Sequence, residues 1–292
     1  MKKNLTLTIV TNATSNYGES LGNISSLQKV YKNGVAYSCR SMESIKYALM
    51  EKAGFYDDLQ AEAPKKVANK LVNENVNIAN SRALEGGYMA AKKEGTIKRD
   101  SSFRVTDAVS ITPFNGDSQF HNNLNLARKV AELTGKNVQD DAAECGLMPY
   151  NYEFEKGMKI YSITIFLDEI GEDNNFNISL DNIEKCDRVL ALIKAIQFLD
   201  LNVKGSLDNA EPLLIFGGLS DRKSHVFENL VSIKDNKLQI TEDLVNRSKA
   251  YHVGVMTNAF DNSSEIKKDL DATSIDKFFE LINEEIKTFY HC

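Results

Sequence analysis

Apolar and polar positions alternate near the start of the chain. Leu5, Leu7 and Ile9 take turns with Thr6 and Thr8, which predicts a β-strand over residues 4–11 with one buried face. Residues 12–36 are rich in Asn, Ser and Gly and read as irregular chain with a short helix over Ile24–Tyr31. The stretch NGVAYSCR then reads as a strand, after which the period lengthens. Met42, Ile45, Ala48 and Leu49 line one face of a helix that Ser41 can cap and Gly54 can end.

Residues 55–149 are less regular. They contain a charged helical piece near Pro64–Val72, the glycine pair Gly86-Gly87, a strand over Phe103–Ile111, and a helix over Asn123–Leu133 closed by Gly135. Regularity returns where Tyr150, Tyr152 and Phe154 alternate, Lys156-Gly157 can turn, and Met158–Leu167 forms a long strand. A helix follows with Ile183, Val189, Leu190, Ile193, Ile196 and Leu199 as its apolar stripe. Loops and strands lead to a turn at residues 234–236, and one last helix spans Ser264–Tyr290.

The regular elements run strand, helix, strand, strand, helix, strand. That is the split βαβ order, so the expected class is α+β, with a ferredoxin-like sheet of the RNA-recognition type and a large insertion after its first helix. No linker or repeat divides the chain.

A formal net charge of −6 argues against coating nucleic acid by bulk charge, but charge is uneven. Lys92, Lys93, Lys98, Arg99 and Arg104 outnumber Glu94 and Asp100, whereas Asp269, Asp271, Asp276, Glu280, Glu284 and Glu285 crowd the C-terminal part. Such a molecule can dock head to tail on copies of itself. Cys39, Cys145, Cys186 and Cys292 include no C-x-x-C pair and read as reduced thiols in a cytoplasmic protein. No segment approaches membrane-spanning length, so a membrane partner is not expected.

Catalytic patterns are sparse. His121, His225, His252 and His291 lie at no metal-ligand spacing, and neither a phosphate-binding loop nor a nucleophile elbow occurs. No catalytic residue, metal or cofactor is expected. The first strand lacks the stacked aromatics of a standard RNA-recognition sheet. A backbone-binding route stays open: Ser38, Arg40 and Ser41 sit at a strand-to-helix turn, where hydroxyls, amides and a guanidinium can face a phosphate, and Lys46 lies one turn further on.

Two separated blocks carry a resemblance. LTLTIVTNATSNYGESLGNISSLQKVYKNGVAYSCRSMESIKYAL and RDSSFRVTDAVSITPFNGDSQFHNN resemble the DevR-like backbone subunit of type I CRISPR Cascade, in its I-B branch. Cys39 departs from the pattern by standing between Ser38 and Arg40. The resemblance implies a single hand-shaped domain: a palm of about residues 1–54, 150–202 and 233–292, fingers at 55–149 and a thumb hairpin at 203–232. It implies a non-catalytic subunit that polymerises head to tail on a CRISPR guide RNA, presents it to a target DNA strand and joins other Cascade subunits.

By position in the matched blocks, Asn23, Lys29, Ser38, Arg40, Ser41 and Lys46 would grip the guide, and Arg99, Arg104 and Phe120 would line the fingers. Gly217, Gly218 and Arg222 would lie in the thumb. Two alternatives remain. One is a type III-like subunit that cuts RNA with Asp57, Asp58, Asp100 or Asp107; the other is a stand-alone ferredoxin-like RNA-binding protein.

Overall fold

The computed structural model describes residues 3–15, 24–63, 68–92, 95–203 and 206–292. Its centre is an antiparallel sheet of β1 (Asn4–Thr14), β2 (Lys29–Lys32), β3 (Val35–Arg40), β4 (Phe103–Val105), β5 (Ala108–Ser110), β6 (Lys156–Phe166), β7 (Pro212–Ser220) and β8 (His252–Val255). The order is β8-β7-β1-β6-β5-β3-β2, and β4 also pairs with β6. The helices are α1 (Met42–Lys52), α2 (Leu124–Thr134), α3 (Asn182–Gln197), α4 (Glu242–Ser248), α5 (Ser263–Asp269) and α6 (Ile275–Tyr290).

Alternation along β1 builds two layers. Leu5, Leu7 and Ile9 stand opposite Ile165, Ile163 and Tyr161 of β6, and this face packs against α1, α3 and α6. The other face carries Thr6, Thr8 and Val10. It is closed by the chain after β7, where Val226, Phe227, Leu244, Phe260 and Ile266 form a second core with Val10 and Phe216. Thr6 and Thr164 donate through their hydroxyls to the Ser224 carbonyl, each at 3.2 Å. The sheet face that stacks bases in RNA-recognition domains is therefore covered over this part.

Side chains fix the helix starts. Ser41, Asp181 and Ser274 accept from the backbone amides of Ser44, Glu184 and Lys277, the orphan donors of a first helical turn. The insertion adds two small units. One holds a 3-10 turn at Arg82–Gly86 and the hairpin Tyr88–Lys92/Gly95–Arg99, around Val72, Ile78, Leu84 and Tyr88. The other joins α2 to a small sheet of Ser118–His121, Tyr150–Glu153 and Ile24–Ser25.

Several expectations need correction. Ile24–Tyr31 contains strand, not helix: Asn33 and Gly34 both take positive φ, a two-residue hairpin turn that pairs β2 with β3. The helical piece near Pro64–Val72 gives way to a short strand at Asn69–Lys70, residues 64–67 lying outside the described residues. Lys156-Gly157 opens β6 instead of turning. The last helix is two helices, interrupted where Asp271 adopts φ 50° and Ser274 caps anew. Met42 and Ile183, assigned to buried stripes, are exposed. Cys186 and Cys292 form a disulfide across 106 residues, leaving Cys39 and Cys145 as buried thiols.

Candidate nucleic-acid interface

Arg40 ends β3, at the edge of the sheet where β1 also ends and β6 begins. Strand alternation puts Ser38 and Arg40 on one face and turns Cys39 to the other, so the intervening cysteine does not separate them. Arg40 is 5% exposed; its Nη1 donates to the Thr14 carbonyl at 3.4 Å, and among the described residues its Nε has no partner. Burial lowers its pKa, and Asp208 opposes that shift. A buried guanidinium N–H without an acceptor is costly, and an anion there would relieve it.

The groups around Arg40 are charged as well. Asp208, on the hairpin formed by Asp200–Val203 and Ser206–Asn209, accepts from the Thr14 amide at 2.6 Å and pairs with Lys156. Burial alone would raise its pKa, yet the Lys156 ammonium and the Thr14 amide bring it below the ordinary carboxylate value. Glu155 accepts from Ser38 Oγ at 2.5 Å and Ser15 Oγ at 2.9 Å, and pairs with the fully buried Lys159. Burial pushes the Lys159 pKa down against the pull of Glu155. Lys29, opposite Ser38 on β2, pairs with Glu153 at 2.5 Å and lies 4.6 Å from the centre of the Phe114 ring.

The other candidates separate from this cluster. Lys46 turns away from Arg40 and donates to the Gly86 carbonyl at 2.8 Å, over the Phe103 ring. Arg104 lies near Lys46 and pairs loosely with Asp100 at 3.7 Å. Ser41 serves as the α1 cap. Asn23 lies outside the described residues.

Arg99 is a structural residue. All three of its nitrogens donate internally, to the carbonyls of Leu84, Glu169 and Glu172 and to Glu85 and Ser102. Phe120 is 62% exposed on the small sheet. Its neighbours His121, Tyr150 and Tyr152 stack on one another, with 4.5 Å between His121 and Tyr152. Gly217 and Gly218, expected in a thumb hairpin, lie in β7 within the central sheet, paired to Leu7 and Thr6. Arg222 is exposed just beyond that strand, its amide donating to Ser220 Oγ at 3.0 Å.

Three of the four aspartates offered for cleavage make local contacts. Asp107 accepts from the Met42 amide at 2.6 Å, Asp58 from the Arg82 amide at 3.1 Å, and Asp100 pairs with Lys98 at 3.0 Å. The pKa of Asp100 is lowered by its hydrogen bond from Lys98. Asp57, the fourth, follows Gly54 in the turn after α1.

Comparison with known proteins decides the family. The model of the "CRISPR-associated negative auto-regulator DevR/Csa2" family matches residues 5–242. The chain belongs to the DevR/Csa2 family. It is 32% identical over 159 residues to the CRISPR-associated protein Cas7/Cst2/DevR of Myxococcus xanthus (strain DK1622). That match covers 48% of this chain and 52% of the relative, about half its length.

Among solved structures, a chain of a "CRISPR RNA-guided surveillance complex, pre-nicking" superposes with a TM-score of 0.64 at 12% identity, covering 98% of this chain and 99% of that one. A chain of a "CRISPR RNA-guided surveillance complex" gives 0.59 at 15% identity with the same coverage. At these identities the likeness is one of fold.

The DevR/Csa2 match encloses every candidate residue and stops before α5 and α6. Sequence reasoning missed Lys156, Lys159, Glu155 and Asp208 in this family member. Lys156 and Lys159 lie in the first four residues of β6, a strand whose pattern looks ordinary. Only the meeting of three chain segments at one sheet edge makes them part of a charged cluster.

Proposed function

We propose that this chain is a Cas7-type backbone subunit of a type I CRISPR effector. It binds the sugar–phosphate backbone of a guide RNA without reading its bases, stacks head to tail with further copies along that RNA, and presents it to a target DNA strand alongside other Cascade subunits. Membership of the DevR/Csa2 family and the fold shared with chains of RNA-guided surveillance complexes support the reading. The observation that carries the site is Arg40: buried, charged and short of one acceptor at the edge of the sheet. Ser38 and Lys29 stand beside it. Backbone contacts suit a protein that leaves sequence reading to base pairing.

The order β7-β1-β6-β4/β5, with α1 and α3 on one face, supports a ferredoxin-like palm. Because Pro212–Ser220 belongs to the sheet, we assign the thumb to the shorter hairpin at 200–209. Head-to-tail stacking is a heterologous, non-closing contact and grows a filament along a template. The subunit acts by binding, not by cleaving.

The test is co-expression with a CRISPR array and the neighbouring genes, followed by mass and absorbance measurement of the purified particle. Several copies on one RNA of defined length, weakened by Arg40→Gln in a chain that still folds, is the expected result. An RNA-free monomer or closed dimer would remove the proposal in favour of a stand-alone RNA-binding protein. Metal-dependent cutting of labelled target RNA, abolished by one aspartate substitution, would replace the binding role with a catalytic one.

A further inference from the structure

A cleft of about 500 Å³ lies between α1 and the Arg82–Gly86 turn, away from the Arg40 cluster. Its walls include Lys46, Lys70, Tyr47, Tyr56 and Gly86, with Glu43 also among its lining residues. We propose that this cleft is a nucleotide site, taking one nucleoside 5′-phosphate with its phosphate on the Lys46 and Lys70 ammonium groups and its base against Tyr47 and Tyr56. The inference goes beyond the guide-binding reading and stands without it, since it uses none of the Arg40 cluster.

Electrostatics carries the phosphate half. Lys70 Nζ donates to the carbonyls of Ala83 at 2.6 Å and Gly87 at 3.0 Å, while Lys46 Nζ donates to the intervening Gly86 carbonyl at 2.8 Å. Two ammonium groups thus meet on one turn. Carbonyls supply only partial negative charge. The carboxylate that favours both charged forms is Glu43, against the opposing fields of Arg104 on Lys46, and of Lys46 and Arg99 on Lys70. Burial is the largest influence on Lys70 and, with those neighbours, lowers its pKa to about 8. A phosphate would supply the missing counter-charge.

Shape carries the nucleoside half. The cleft is far larger than one phosphate. The rings of Tyr47 and Tyr56 lie 5.3 Å apart at 33°, forming an aromatic wall against which a base can pack. At Gly86 a Cβ would come within 2.8 Å of Met50 Sδ and 3.2 Å of Lys70 Nζ, so a side chain there would push into the lysine that lines the cleft. The ligand has two sources with the same chemistry: a free nucleotide, or an unstacked nucleotide within a bound strand.

The experiment is calorimetric titration of the full chain with AMP, adenosine and inorganic phosphate at low salt. AMP is expected to bind at least about tenfold more tightly than adenosine, the value of one charge-assisted contact. The double variant Lys46→Met/Lys70→Met and the separate variant Tyr47→Ala should each weaken AMP about tenfold. Tyr47 is 54% exposed, so its variant keeps the test meaningful if the lysine pair fails to fold.

Affinity should also fall as pH rises past about 8, where free Lys70 sheds its proton, and Lys70→Met should lose that dependence. Absence of AMP binding, equal affinity for adenosine, or affinity unchanged in both variants would overturn the proposal. Displacement of AMP by a short single-stranded oligonucleotide would assign the site to a strand, and failure to displace it would assign the site to a free nucleotide.

Discussion

Arg188 and Glu85 form an ion pair out of reach of solvent, with Nη1 3.0 Å from Oε1. Oε1 also accepts from the Gly171 amide at 2.8 Å, and the other oxygen, Oε2, pairs with Arg99 Nη2 at 2.9 Å. One acid of the Arg82–Gly86 turn thereby ties the insertion to α3 and to the chain after β6. Removing it would leave the buried Arg99 without its carboxylate partner and Arg188 with Glu184 alone. Glu85→Ala should therefore lower folding stability by about 3–5 kcal/mol, read from the urea midpoint. A loss below about 1 kcal/mol would mean that the arginines find solvent without it.

Gly217 is fixed by contact, not by exposure. A Cβ there would sit 2.1 Å from the Thr6 carbonyl oxygen and 2.7 Å from Leu7 Cδ2, in the middle of the β1–β7 pairing. Backbone cannot move aside as a flexible side chain can. Gly217→Ala should cost at least about 3 kcal/mol, the upper end for overpacking, or yield insoluble protein. Gly218→Ala meets its nearest neighbour at 3.5 Å and should cost less, judged by the difference in unfolding midpoints.

How far the sequence reached depends on how local each determinant is. The faces of β1, the Ser41 cap and most of the α3 stripe follow from spacing within one element, and those readings hold. The β2–β3 hairpin is legible too, in Asn33-Gly34, although the segment before it reads as irregular chain with a short helix. Grouping was harder. Arg40 and Lys46 lie six positions apart and looked like one site, yet the start of α1 sends Lys46 to Gly86 and leaves Arg40 at the sheet edge. Glu155, Asp208 and Lys70 join their sites only through tertiary contacts that no spacing encodes.

The cysteines illustrate the same limit and give a direct check. Cys186 lies on α3 and Cys292 follows α6, and only the packing of those helices brings them together. Denatured without reductant, the chain should expose two titratable thiols, Cys39 and Cys145, and four after reduction. Both free thiols are buried, and burial raises the pKa of Cys39, so they should react slowly in the folded protein. Four thiols in the unreduced chain would return all four cysteines to the reduced state expected from their spacing.

Arg40 can be tested as a phosphate contact rather than as part of the core. Affinity for guide RNA should fall linearly with the logarithm of salt concentration, and Arg40→Gln should make that slope shallower by about one. A structural role would instead lower the urea midpoint while leaving the slope unchanged. The two measurements together separate grip from support.

Lys70 makes the last prediction, through the pH dependence of stability. Burial lowers its pKa to about 8 in the folded chain, from the ordinary lysine value of 10.5. Below about pH 8 both folded and unfolded chains hold the proton, and the cost of burying the ammonium is fully present. Between the two pKa values the unfolded chain binds more protons, so stability rises with pH across that window. Wild type should gain on Lys70→Met between about pH 7.5 and 9.5, read as a pH-dependent change in the difference between their urea midpoints. Parallel profiles would mean that the carbonyls of Ala83 and Gly87 already satisfy the charge. If the cleft binds a nucleotide, saturating AMP at pH 7 should raise the wild-type midpoint and flatten this slope, because the phosphate stabilises the ammonium form that burial disfavours.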